Sequence, residues 1–294
     1  MPDVGARPGP WALGSLDIEG HRGARGLVPE NILPSFLAAI DAGATGVELD
    51  VRLTADGEVV VWHDPTLQAD KCVSAQGLVG ARVDELTLAQ LRTVDVGTLT
   101  LPAFPEQRPA PGASISTLAE LLDACAERAP DLWWTIELKV DPSDPREAAT
   151  RRQLVEGVLQ AIHDGRVEDR CFVHSFDWAV LDLARALDPG LLRSALAVVG
   201  HTYRPGSEWL GSVRWEDHGD DLAAAAAAIG AHVVSPHFLT CDRPFVERAH
   251  ELGLGVLPWT VNEPEDLRRM IDVGVDGLVT DYPDRAIALA RGRD

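Results

Sequence analysis

The chain has little lysine and little cysteine. Lys71 and Lys139 are its only lysines, and Cys72, Cys125, Cys171 and Cys241 its only cysteines. The cysteines stand far apart with no C-x-x-C pair, which argues against a zinc cluster or a disulfide framework and fits reduced thiols in a cytoplasm. Net positive charge is also lacking. A formal charge of −20 argues against nucleic acid or an anionic membrane as a general partner. It leaves room for an anionic substrate, because a local cation can reverse the field inside one pocket. No apolar run is long enough to span a membrane, so no stable membrane anchor is expected. Residues 1–20 lack the basic start and continuous apolar core of a signal peptide. The remaining composition, 46% apolar and 24% charged over 294 residues, supplies a core for one large domain or two modest ones.

Short apolar runs alternate with amphipathic stretches from Val47 onward. Strands are expected at 16–21, 46–52, 132–139, 170–175, 192–199, 231–235, 254–261 and 276–281. Helices are expected at 32–42, 117–128, 146–163, 177–187, 220–229, 242–252, 264–273 and 283–291. Eight strands, each followed by a helix, point to an α/β fold of the TIM (β/α)8 barrel type. A doubly wound sheet is the alternative, but no glycine fingerprint for phosphate follows the first strand. An internal echo supports a repeat: Asp41-Ala42-Gly43-Ala44-Thr45-Gly46-Val47-Glu48-Leu49-Asp50 and Asp272-Val273-Gly274-Val275-Asp276-Gly277-Leu278-Val279-Thr280-Asp281 share both glycines and both aspartates. Each reads as helix end, glycine C-cap, turn and strand. It places Asp50 and Asp281 at C-terminal strand ends, the face where barrels build active sites. The expected organisation is one domain over 16–294, with an N-terminal extension at 1–15 and a small insertion after the second strand, at about 65–115. The 200–221 connection is the second long loop.

Chemistry concentrates near the start: His21-Arg22-Gly23, Pro29-Glu30-Asn31, Glu48-Leu49-Asp50, then His63-Asp64. On a strand, Glu48 and Asp50 share one face about 6–7 Å apart. Two carboxylates side by side repel unless a cation lies between them. In Trp134-Thr135-Ile136-Glu137-Leu138-Lys139 the residues Thr135, Glu137 and Lys139 share a face, so Glu137 joins the pair at the barrel mouth. Three carboxylates make a hard oxygen site suited to Mg²⁺ or Ca²⁺ rather than zinc. Structural salt bridges to Arg22, Arg52 or Lys139 are the competing reading for these acids. Asp64 fits a turn with Pro65 better than an orienting role for His63. His174, Ser175 and His237 lie on the right face, though single polar residues at strand ends are commonly satisfied locally. Trp259 fits either an apolar wall or core packing. Asn262 reads as a helix cap, Asp281 as a partner for an arginine or a turn cap, and the acids of Trp215–Asp221 as a helix N-terminal bias.

Taken in order, His21-Arg22-Gly23, Pro29-Glu30-Asn31, Glu48-x-Asp50, Asp56-Gly57, His63-Asp64, Glu137-x-Lys139, Trp259-Thr260-Val261-Asn262 and Thr280-Asp281-Tyr282-Pro283 resemble the glycerophosphodiester phosphodiesterase family, over about residues 18–290. Ile32 departs from the threonine common in that family after P-E-N. The resemblance implies hydrolysis of a glycerophosphodiester to sn-glycerol 3-phosphate and an alcohol. It implies Glu48, Asp50 and Glu137 as ligands of one divalent cation (Mg²⁺ or Ca²⁺, with Mn²⁺ a further option), His21 and His63 as the acid/base pair, and Arg22 and Lys139 on the phosphate oxygens. Trp259 would stand beside the glycerol or alcohol group. Two other functions are weighed. A phospholipase D-type enzyme acting on lysophospholipids would want an apolar surface near the mouth, for which Leu99–Pro105 is the candidate. A non-catalytic phosphodiester-binding module would be expected to have lost one of these groups, and none is missing. A metal-dependent amidohydrolase would open on H-x-H, where this chain has His21-Arg22-Gly23.

Overall fold

The computed structural model describes residues 9–13 and 16–291. Eight parallel strands form the barrel wall: β1 Asp17–His21, β2 Gly46–Leu53, β3 Trp133–Leu138, β4 Cys171–Ser175, β5 Leu192–Ala197, β6 Val233–Pro236, β7 Gly255–Val256 and β8 Gly277–Thr280. They hydrogen-bond in the order β7-β6-β5-β4-β3-β2-β1-β8. The seam between β7 and β8 has no regular ladder. It is closed by single backbone bonds, Asp276 N to Val256 O (3.1 Å), Val279 N to Pro258 O (3.0 Å) and Val261 N to Val279 O (2.9 Å). The strand expected over 254–261 is therefore cut to two residues, because Pro258 has no N–H to offer a ladder.

Eight helices cover the wall: α1 Leu33–Ala42, α2 Leu118–Ala126, α3 Pro145–Gly165, α4 Trp178–Leu187, α5 Leu222–Ala228, α6 Arg243–Glu251, α7 Pro264–Val273 and α8 Pro283–Arg291. The echoed segments are built alike. Gly43 and Gly274 end α1 and α7 at φ 95° and 90°, each donating its N–H to carbonyls of the last turn, a conformation that costs glycine nothing. The strands then alternate as expected. Val47, Leu49, Val51, Trp134, Ile136 and Leu138 pack under the helices, which leaves Glu48, Asp50, Thr135 and Glu137 for the interior. The N-cap of α1 is Ile32, which makes no side-chain cap bond. Its side chain instead joins a second apolar cluster with Trp62, Leu67, Leu91 and Ile115, and that burial offsets the missing cap.

That second cluster is the core of the excursion after β2. Val59–Val61 returns antiparallel along β2, and the segment then carries a short sheet of Val73–Ser74 with Val94–Asp95. Of the 1–15 extension, the described part packs on the barrel. Trp11 stacks on Phe172 with centroids 5.7 Å apart, at the N-terminal end of the strands and opposite the charged mouth. In the 200–221 connection Trp215–His218 is a short helix with Glu216 and Asp217 in its first turn, and Asp221 caps α5, as the charge pattern implied.

Candidate active site

The mouth is assembled by strand register. Asp50 pairs with Glu137 across β2 and β3, and His21 with Glu48 across β1 and β2. Oxygens of Glu48, Asp50 and Glu137 lie within 4.8 Å of one another, and all three residues are buried. Their ionisation is uneven. Burial and repulsion from Asp50 and Glu137 push Glu48 well above the usual carboxylate range. Asp50 is held well below it, because Arg22 and Lys139 outweigh its burial. Burial raises Glu137 although Lys139 opposes the shift. Lys139 Nζ lies 3.0 Å from Asp50 Oδ1 and 2.6 Å from Glu137 Oε1. Glu48 Oε1 is buried with no hydrogen-bond partner. An orphaned oxygen in an all-carboxylate set fits a hard divalent cation.

The loop from His21 to Ile32 turns back on itself through two non-glycine residues in the left-handed region, Arg22 (φ 52°) and Asn31 (φ 58°). Such positions persist where their surroundings hold them. Here Asn31 N donates to Arg22 O, and Ser35 Oγ donates to the same carbonyl. The turn aims Asn31 Nδ2 at Asp50 Oδ2 (2.8 Å) and Arg22 Nε at the same oxygen (3.0 Å). Glu30 gathers three cations, Arg22 at 2.9 Å, Arg25 at 2.5 Å and Lys71 at 2.8 Å. Burial works against the Glu30 carboxylate, but those cations keep it far below its ordinary value. Glu30, Asn31, Arg25 and Lys71 were not singled out as site residues from the sequence. P-E-N was the one available signal.

Both histidines have Nδ1 tied to an aspartate. His21 Nδ1 donates to Asp281 Oδ1 at 2.6 Å, and His63 Nδ1 to Asp64 Oδ1 at 3.0 Å. Among the described residues each thus leaves Nε2 without a hydrogen bond, that of His21 lying 3.8 Å from Glu48 Oε2. Burial lowers His21, with Asp281 opposing, and His63 falls to about 4 through burial and the nearby Lys139. Three expectations are corrected here. The partner of Asp281 is His21, not an arginine or a turn. Asn262 does not cap α7, whose N-cap is Glu263; its Nδ2 donates to Asp281 Oδ2 at 2.6 Å. Asp64 contacts His63 and also takes Lys71 Nζ at 2.6 Å, so it does more than turn the chain. The Asp281 contacts join the ends of the first and last strands and the segment after β7, far apart in sequence, whereas Asp64 meets its partners within the excursion after β2.

His21, Arg22, Glu48, His63, Glu137 and Lys139 line one cavity of about 230 Å³, and Trp259 and Phe176 form part of its apolar side. Trp259 Nε1 donates to Ser235 O, and its ring meets Phe176 edge-on at 5.3 Å. A second cavity of about 290 Å³ meets the first at His63, Glu137, Lys139 and Phe176, with Arg52, Arg82 and Trp209 beyond. Ser175 is satisfied locally by Leu138 O and Asp177 N, and His237 Nδ1 accepts from Leu239 N. His174 lines the first cavity.

The arrangement suits transfer at a phosphorus centre: buried carboxylates for a cation, two fixed cations, and two imidazoles, each tied at Nδ1, in one cavity. The comparisons with known proteins agree with it. The model of the glycerophosphoryl diester phosphodiesterase family matches residues 21–285. A glycerophosphodiester phosphodiesterase of Caldanaerobacter subterraneus subsp. tengcongensis is 30% identical over 92% of this chain and 96% of its own length. A solved structure from Silicibacter pomeroyi DSS-3, assigned to the glycerophosphoryl diester phosphodiesterases, is 39% identical, with a TM-score of 0.86 over 98% of this chain and 96% of that one. An Oleispira antarctica phosphodiesterase solved with the product sn-glycerol-3-phosphate shares the fold, with a TM-score of 0.73 at 21% identity over 94% of this chain and 96% of that one. No helix among the described residues is long and apolar enough to cross a membrane. A barrel mouth so equipped, and a family match running from its first histidine to the last helix, give one conclusion: this chain belongs to the glycerophosphoryl diester phosphodiesterase family.

Proposed function

We propose that the chain hydrolyses glycerophosphodiesters to sn-glycerol 3-phosphate and an alcohol, with Glu48, Asp50 and Glu137 holding one divalent cation, Mg²⁺ or Ca²⁺ and, as a further option, Mn²⁺. The observation that carries this reading is the pair of histidines, each fixed at Nδ1 by a carboxylate, sharing one cavity with Glu48 and Glu137 of the three clustered buried acids. The product bound to the Oleispira antarctica protein supports the same substrate class. When bound, the cation supplies positive charge against the charge that builds on the phosphoryl oxygens.

The chain's own groups do the rest. Lys139 sets a point charge beside the phosphate, and Arg22 offers its remaining N–H groups in a planar fork. Burial keeps both imidazoles neutral near pH 7, so the one acting as base accepts the nucleophile's proton at Nε2. An anionic phosphodiester between them raises their proton affinity, which favours the charged form of the partner that protonates the leaving alkoxide. Asp281 and Asp64 stabilise the imidazolium in either role. Trp259 gives the organic group an apolar wall. Residues 16–294 act as one domain in this reading, and the insertion at about 65–115 closes one side of the mouth. The four unpaired buried thiols support a reducing compartment, the cytoplasm. Leu99, Leu101 and Phe104 are half-buried, which gives a lysophospholipid-binding surface less support than free glycerophosphodiesters.

The test is to follow glycerol 3-phosphate release by wild type, His21→Ala and His63→Ala with saturating divalent cation. Each substitution should cost about 10²–10⁴ in turnover. Undiminished turnover in both would overturn the assignment.

A further inference from the structure

The active-site cavity has two unlike halves. The half built by β1 to β3 carries the charges, among them Arg22, Glu48, Glu137 and Lys139. The opposite half is apolar, with Phe176, Leu196, Trp259 and Val279. His174 stands where the two halves meet, with Glu137 as its register neighbour on β3 and the same cavity beside it. It is only 2% exposed, and among the described residues neither ring nitrogen makes a hydrogen bond to the protein. Its Nδ1 is wholly shut from solvent with no partner. The residue beside it in register on β5, Ser194, is fully buried and its hydroxyl is also without a partner.

A buried polar group without a partner is destabilising, and a leucine here would avoid that loss. The imidazole therefore needs a reason outside folding. Among the described residues the ring has no carboxylate hydrogen-bonded to it, and a neutral imidazole presents one donor and one acceptor nitrogen. Nε2 is the ring nitrogen that is not shut away, and according to the tautomer it donates to a hydroxyl or accepts from one. The phosphate already has Arg22 and Lys139 on the charged half.

We propose that His174 is a specificity-determining residue that hydrogen-bonds a hydroxyl of the substrate's glycerol half, which lies along the apolar wall while the phosphate faces the carboxylates and Lys139. This rests on the phosphodiesterase reading above. The glycerol half carries no charge, and it suits the wall without charged side chains; the adjoining cavity, with Arg52, Arg82, Asp141 and Asp144, takes the other half.

Calorimetric titration of the Mg²⁺-loaded protein with sn-glycerol 3-phosphate and with propyl phosphate, which has no hydroxyl, tests this. Wild type should prefer glycerol 3-phosphate. His174→Leu should weaken glycerol 3-phosphate about tenfold and leave propyl phosphate unchanged, and its Tm should be at or above that of wild type. His174→Gln, which keeps a donor and an acceptor, should recover part of the preference. Should the leucine variant fail to fold, His174→Ala reads the same difference. Equal weakening of both ligands, weakening of neither, or a wild type that binds both alike overturns the inference. Binding of neither ligand by wild type brings down the phosphodiesterase reading itself, and this inference with it.

Discussion

Replacing Asp281 with asparagine isolates the part played by the carboxylate behind His21. The Asp281 side chain is held on its far side, Oδ2 taking Asn262 Nδ2 at 2.6 Å, and its own N–H donates to Asn262 Oδ1 at 2.9 Å. The contact to His21 Nδ1 is 2.6 Å, with side chains only 11% and 5% exposed. A hydrogen bond to a charged partner in such a setting is worth about 1.5–3 kcal/mol. At about 1.4 kcal/mol per tenfold in rate, loss of the charge should lower kcat about 10- to 150-fold, with little change in KM. The pH profile adds a sign. Burial lowers His21 and Asp281 works against that, so removing the carboxylate lowers it further. Whichever limb of the kcat profile His21 sets must move to lower pH. The assay is steady-state release of glycerol 3-phosphate between pH 5 and 9. An unchanged kcat, or a loss with both limbs in place, would show that the Asp281 carboxylate does not support His21 in turnover.

Other perturbations follow from the same contacts. Glu30→Gln leaves Arg22, Arg25 and Lys71 without their shared carboxylate, so stability by urea denaturation should fall by about 3–5 kcal/mol; a loss near zero would mean that these cations find other partners. Gly23 sits at φ 85°, where an added Cβ would lie 2.6 Å from Ser35, so Gly23→Ala should lower Tm and turnover together, and a Tm equal to wild type would contradict the close approach. Asp17 is raised to about 6 by burial, so its contribution to stability is full below pH 4 and is lost as pH rises through 6. The stability of Asp17→Asn relative to wild type should then improve by up to about 3 kcal/mol from pH 4 to pH 7. A difference independent of pH would show that Asp17 is not held in this way.

Much of the barrel was legible because its inward and outward residues alternate strictly on β2 and β3, and because helix ends are marked by glycines such as Gly43 and Gly274. The carboxylate cluster followed from that alternation alone. The seam strand was misjudged in length because an apolar run containing Pro258 keeps its burial while losing its ladder. The partners of the histidines were harder to read. His21 and Asp281 are 260 residues apart and meet only because β1 and β8 are neighbours. The charge web around Glu30 depends on the left-handed turns at Arg22 and Asn31, which no pattern of apolar residues records. Ile32 looked like a small departure from a motif, and its burial in the second cluster explains it.

In the proposed function this barrel mouth cleaves a phosphodiester only with a divalent cation on Glu48, Asp50 and Glu137. Phosphorus NMR of glycerophosphoethanolamine with chelator-treated protein, titrated in turn with Mg²⁺, Ca²⁺ and Mn²⁺, tests it most directly. The account predicts a glycerol 3-phosphate signal that is absent before titration, restored by at least one of these cations, and abolished in the Glu48→Gln/Glu137→Gln variant. Full turnover by the chelated protein, or by that variant, would contradict it.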